Sequence, residues 1–270
     1  PDSIFVDRAD SASGSGGLYD IPVLPVNGWC LDEYIPAANL SNDTAILNTP
    51  IYLYLCSRHF VWVCTNPFGG VDSLPNWNRI TPDLVTDFFG VGKKEFLTTV
   101  AVSGDADHTV YVGTNVGKIF RINNANDPVN IDLVNSITRV DTLQTFDMPN
   151  RWVSDIEFDH SNPDNMIITY GAYENSDDRV FITNNSKAAS PTFRSIQGNL
   201  QANLPVYCAG FDPDPTRKGI IIGTDEGVFG TSSDYENASG GVTWSDESAG
   251  IGKVPVTDVS FRLYYKNIID

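Results

Sequence analysis

Glycoside hydrolysis needs two carboxyl groups facing each other across a sugar, about 5 Å apart for retention or roughly 6.5–9.5 Å for inversion. This chain of 270 residues has 34 aspartates and glutamates, so a pair of acids alone identifies nothing. Asp159, Asp212, Asp225 and Glu226 are the ones with a definable setting, and all four lie in segments that recur along the chain. Recurrence favours a structural role for them, and no catalytic residue is assigned. His59, His108 and His160 fall in or near loops and read as solvated. Trp29, Trp62, Trp77, Trp152 and Trp244 offer faces for sugar stacking, although Trp62, Trp77 and Trp244 stand where strand packing would use them. No G-x-S-x-G elbow, phosphate loop or H-E-x-x-H zinc motif occurs.

Composition narrows the field further. A net charge of −17 repels phosphate backbones, which excludes nucleic acid as a natural partner. The D-x-D pairs Asp105/Asp107 and Asp212/Asp214 suggest calcium, but neither has the ligand count of a calcium loop, so no cofactor is expected. No window approaches the ~20 apolar residues that cross a bilayer as a helix. Cys30, Cys56, Cys64 and Cys208 show no C-x-x-C spacing, and buried thiols are favoured over disulfides. The chain opens at Pro1 with neither an initiator methionine nor an apolar leader, so a removed leader or a longer parent protein is expected.

The elements that must position these residues repeat. Thr99-Val100-Ala101-Val102, Asp155-Ile156-Glu157-Phe158, Cys208-Ala209-Gly210-Phe211 and Asp258-Val259-Ser260-Phe261 share one alternating pattern, and their last residues lie 56, 53 and 50 residues apart. A period of this length signals stacked supersecondary units. About eleven residues beyond each of the first three, a second strand and its turn recur. Gly113-Thr114-Asn115-Val116-Gly117 matches Gly223-Thr224-Asp225-Glu226-Gly227, each glycine being free to take the positive φ of a tight reverse turn. Degenerate copies run from Tyr52 to Val63 and from Met166 to Ile182. Corners at Phe158-Asp159-His160-Ser161-Asn162-Pro163 and Phe211-Asp212-Pro213-Asp214-Pro215 mark the bend into the second strand.

Residues 220–244 hold the best-preserved copy. It closes with Ser232-x-Asp234, a five-residue insertion, and Gly240-Gly241-Val242-Thr243-Trp244. Asp234 is expected to accept hydrogen bonds from its own turn, and Trp244 to pack between neighbouring strands. Weaker echoes sit at Thr183-Asn184-Asn185-Ser186 leading to Thr192-Phe193, and at Thr65-Asn66 leading to Asn76-Trp77.

The expected fold is all-β: a β-propeller of four-stranded blades with repeats of 50–56 residues. About five blades are visible, or six to eight if the chain is a fragment. One domain spans 1–270. Residues 1–21 supply ring-closing strands, 22–44 an irregular insertion, and 45–262 four repeats plus the first strand of a fifth.

The G-T-x-x-G turn (Gly113, Thr114, Gly117; Gly223, Thr224, Gly227), the interrupted Asp-box (Ser232, Asp234, Gly241, Thr243, Trp244) and the Asp-Pro corner together resemble the BNR-like repeat propellers of sortilin, sialidases and xyloglucanase-type glycosidases. The nearest likeness is to secreted or surface proteins of Bacteroidetes-like bacteria. That resemblance implies an extracellular or cell-surface module, non-catalytic, binding protein or glycan within a larger assembly. The alternative is a glycoside hydrolase. A sialidase would need an arginine triad and a Tyr/Glu pair, and Arg262 with Tyr264-Tyr265 lacks the accompanying arginine-containing motif. Function is expected in what the copies do not share: residues 235–239, the acidic loop 174–178 and residues 22–44.

Overall fold

Short β-branched and aromatic runs bounded by glycine, proline and asparagine set this chain up as many brief strands. The computed structural model describes residues 29–32 (backbone only), 52–64, 77–85, 95–104, 108–126, 140–143, 148–173, 177–214, 217–231, 235 and 241–261. Every regular element among them is a strand, and the chain divides into two units, Pro1–Leu143 and Gln144–Asp270.

The first unit holds two sheets of four antiparallel strands, each in sequence order. One contains β1 (Trp29–Asp32), β2 (Tyr52–Cys56), β3 (Val61–Cys64) and β4 (Trp77–Arg79). The other contains β5 (Leu97–Val102), β6 (Val110–Thr114), β7 (Ile119–Ile122) and β8 (Val140–Thr142). Both faces of β6 and β7 are buried, so they read as continuous apolar runs rather than alternating ones. Tyr54, Val61, Val63, Leu97, Val110 and Phe120 belong to one shared core.

The second unit repeats the plan. β9 (Val153–Asp159), β10 (Asn162–Tyr170), β11 (Val180–Thr183) and β12 (Arg194–Ser195) form one sheet. β13 (Val206–Phe211), β14 (Ile220–Thr224), β15 (Gly227–Thr231) and β16 (Ser245–Asp246) form the next. The first strand of one sheet lies beside the first strand of the other, β9 against β13. Ile167, Val180 and Ile182 share a core with Val206, Phe211 and Ile222. Four sheets of this topology are the blade content of a propeller with about four or five blades, and no strand pairing closes a ring among the described residues.

The paired G-T-x-x-G turns divide their labour differently from the sequence expectation. Only the second glycine of each takes positive φ, +91° at Gly117 and +110° at Gly227. Thr224 pairs with Gly227 across the turn, and Asp225 and Glu226 keep negative φ, so the turn is a type I with its left-handed residue last. The threonines fasten it: Thr114 Oγ1 accepts from Lys118 N at 3.0 Å, and Thr224 Oγ1 accepts from Glu226 N at 3.1 Å. Gly223 serves close approach instead. A Cβ there would come within 2.5 Å of Cys208 Sγ and of the Val256 carbonyl.

Two other expectations change. Residues 22–44, expected to be irregular, contribute β1, which pairs with β2 from Trp29–Leu55 to Asp32–Tyr52. Four residues between prolines are too few to show an alternation. Residues 258–261, expected as a fifth first strand, form no strand. Val259 and Phe261 lie instead against Gly210 of β13, and just before them Val256 N donates to Thr224 O at the end of β14, at 2.9 Å. Residues 1–21 lie outside the described residues.

Candidate recognition site

The acids singled out at the corners are scaffold. Asp159 Oδ1 accepts from Ser161 N at 2.8 Å, and its Oδ2 accepts from the buried Tyr235 hydroxyl at 2.6 Å. Those bonds hold the Asp159 carboxyl below its ordinary range against the upward push of partial burial. Asp212 closes the equivalent corner by accepting from Asp214 N at 2.9 Å, and Arg217 Nε sits 3.1 Å from Asp212 and 3.3 Å from Asp214. That arginine pairs with both acids of the D-x-D at 212 and 214. Among the described residues no group of three or more His, Cys, Asp or Glu side chains is arranged to hold a metal ion. Asp105 and Asp107 lie outside those residues, as do Arg262, Tyr264 and Tyr265.

Ser232 and Asp234 also lie outside the described residues, so the interrupted motif is visible only in its second half. Gly241 takes φ +92°, Thr243 is exposed, and Trp244 is buried with its indole N–H donating to Ile196 O at 2.9 Å. The echo at Thr183-x-Asn185 forms a capped turn, in which Asn185 Oδ1 accepts from Thr192 N at 2.9 Å and from Thr183 Oγ1 at 2.7 Å. Tyr235, the first residue of the 235–239 insertion, is a buried strut to Asp159 rather than a loop contact.

The histidine expectation is overturned for two of three. His59 is buried with Nδ1 3.2 Å from Asp83 Oδ1, and His108 is buried edge-on to the Tyr52 ring. Their loops fold back onto the sheets, so what looked like solvated positions are packed ones. Cys64 is buried, and burial pushes the free, buried Cys56 and Cys208 thiols up to about 12. Inert thiols follow.

Asp225 departs from the pattern. Asn115 holds the same position in the first G-T-x-x-G turn, and its Oδ1 accepts from Phe96 N at 2.8 Å while its own N donates to Phe96 O. Asp225 keeps the backbone half of this arrangement, donating from N to Pro205 O at 3.2 Å. Its carboxylate turns elsewhere. Asp225 Oδ1 accepts from the Tyr173 hydroxyl at 2.9 Å and from the Tyr207 hydroxyl at 3.0 Å, and the two phenol oxygens are themselves 2.9 Å apart.

Backbone geometry explains the meeting. Gly171 follows β10 and donates from N to Trp152 O just ahead of β9. The Tyr207 ring, on β13, lies over Gly171 where any Cβ would stand 3.4 Å from it. Two residues on, Tyr173 reaches the Tyr207 hydroxyl. Trp152 and Tyr173 stay open to solvent, at 50% and 61% exposure. Desolvation first, then the Tyr173 hydroxyl and the Asp225 carboxylate, pushes the Tyr207 phenol above its ordinary value. It therefore stays an O–H donor at neutral pH and does not serve as a phenolate nucleophile.

A second group of carboxylates lies on the inner strand. Asp155 Oδ2 accepts from Ala209 N at 3.0 Å and Oδ1 from Ile156 N at 2.9 Å, so both oxygens are committed to backbone and β9 is tied to β13. Burial raises Asp155 to about 6. Burial also raises Glu157 to about 8, with the charges of Asp155 and Asp258 adding to the rise.

Sequence reasoning named Trp152 among five tryptophans and set Asp225 aside as framework. It missed Tyr173 and Tyr207, which are far from Asp225 and from each other in sequence. The legible signal was the Asn115/Asp225 difference between two otherwise matching turns.

Among the described residues no helix is long and apolar enough to cross a membrane. No protein-family model matches the chain, and no curated protein does. Among solved structures, the crystal structure of Chaetomium thermophilum Raptor is similar over 73% of this chain and 16% of that one, at 12% identity and a TM-score of 0.42. The chain spans under a fifth of that protein's length, and likeness at this level assigns neither fold nor activity.

Proposed function

We propose that this chain is a non-catalytic propeller module that binds protein or glycan from an extracellular or cell-surface position, within a larger assembly. One observation carries the reading. Asp225, whose repeat counterpart merely caps a backbone, is held by two tyrosine hydroxyls, one of them from Tyr173, which is 61% exposed and lies two residues beyond the Gly171 that bonds the Trp152 backbone. Exposed aromatics beside an oriented carboxylate suit recognition, and a rigid sheet scaffold suits presenting them. The kinship with Asp-box repeat propellers belongs to the same proposal, and the Asn185 cap is consistent with it.

Glycoside hydrolysis is the second reading, and the raised Glu157 favours it as a general acid. Against it, Asp155 has no free oxygen to act as base or nucleophile.

Binding screens with the full chain, using immobilised oligosaccharides and a peptide library, test the first reading. Trp152→Ala and Tyr173→Ala should each weaken whatever binds by about tenfold, the equivalent of ~1.4 kcal/mol. Turnover of a glycoside that Glu157→Gln abolishes would replace this reading with the second.

A further inference from the structure

We propose that the face formed by Tyr173, Tyr207 and Asp225 binds a cationic side chain, arginine foremost, presented by a basic protein segment. This rests on the recognition reading above and names its ligand.

Two phenols bring two hydrogens, and a carboxylate brings none. Three short contacts join their oxygens, and whichever way the hydroxyls turn, both hydrogens are used within the trio. What remains available on this face is acceptor capacity: the phenol lone pairs and Asp225 Oδ2. A ligand must therefore supply donors, and an anion finds none here. A guanidinium presents five N–H donors in a planar fork, which suits several converging acceptors better than an ammonium does.

Charge points the same way. Of the nearby acids, Asp177 lies 3.6 Å from Arg151 Nε and Glu226 lies 3.2 Å from Lys253 Nζ. Asp225 has no ion pair among the described residues. A cation from outside would complete it. The exposed Tyr173 ring adds the stacking and cation–π surface that arginine uses. At a net charge of −17 the whole chain draws basic partners in and repels acidic ones.

Fluorescence anisotropy with the full chain tests this. The probes are a Gly/Ser peptide carrying three arginines and its citrulline counterpart, which keeps the shape but has lost the charge and two of the five N–H donors. The arginine peptide should bind at least tenfold more tightly and weaken with added salt. Asp225→Asn and Tyr173→Phe should each reduce its affinity, Asp225→Asn by tenfold or more. Glu247→Gln, which removes an exposed acid elsewhere, should change it less than twofold. Equal binding of the two peptides, or equal effects of Asp225→Asn and Glu247→Gln, would overturn the proposal. Binding of a neutral oligosaccharide that Tyr173→Ala abolishes, without arginine-peptide binding, would defeat the cationic ligand and leave recognition standing. Binding of neither probe, with Glu157-dependent hydrolysis, would defeat both.

Discussion

Trp244→Ala should lower the unfolding free energy by about 3–5 kcal/mol, the range for removing a large buried aromatic. Trp244 is 4% exposed and belongs to the shared core of the second unit. Its indole N–H donates to Ile196 O at 2.9 Å. Its backbone is clasped from both sides by Asn199, whose Oδ1 accepts from Trp244 N at 2.6 Å and whose Nδ2 donates to Trp244 O at 3.0 Å. Gly198 sits in the left-handed region at φ +52°, and a Cβ there would collide with the Val242 carbonyl. The residues after β12 and those before β16 thus interlock, joining the outer parts of two neighbouring sheets. Trp244→Phe separates the contributions, because it keeps much of the ring and loses the indole bond, for a smaller loss of about 1–2 kcal/mol. Urea denaturation of both variants measures this, and a loss under 1 kcal/mol for Trp244→Ala would mean that the interlock carries little of the stability.

The other large effect is a dependence on pH. Burial first, then Asp155 and Asp258, raises the folded-state Glu157 from an ordinary 4.5 to about 8. The folded state therefore binds this proton more tightly than the unfolded chain does. The stability it contributes is fully present below pH ~4.5 and is lost as pH rises through 8. Asp155, raised mainly by burial from 3.8 to about 6, acts in the same sense over a lower window. Melting temperature should fall from pH 5 to pH 8.5 for the unmodified chain. Glu157→Gln should melt about 3–6 °C higher than the unmodified chain at pH 8.5 and close to it at pH 5. Parallel melting curves for the two proteins across that range would show that Glu157 is not held protonated by its surroundings.

Much of the framework was written plainly in the sequence. Alternation and the 50–56-residue period placed β5, β9 and β13, and the glycines at 117 and 227 placed the turns. What escaped were elements too short to carry a pattern, namely β1 between its prolines and the two-residue β12 and β16. Loop histidines misled because whether a loop folds back over a sheet is decided by partners such as Asp83 and Tyr52, not by its own composition. The Tyr173–Tyr207–Asp225 cluster was hidden for a further reason. Its members come from the end of one hairpin, the start of the next sheet and a turn, and only the placing of β9 beside β13 brings them together. Asp225 itself could have been picked out, because its partner Asn115 keeps the capping role that Asp225 has given up.

We propose that recognition occurs on that exposed face while the repeated acids and the inner strand hold the structure. Hydrogen–deuterium exchange with and without a bound arginine peptide tests it most directly, because it reports the footprint in the intact chain. Exchange should slow at residues 151–152, 171–173, 207 and 225–226 and stay unchanged at residues 155–158. Protection confined to residues 155–158, or none at 171–173 and 225–226, would contradict it.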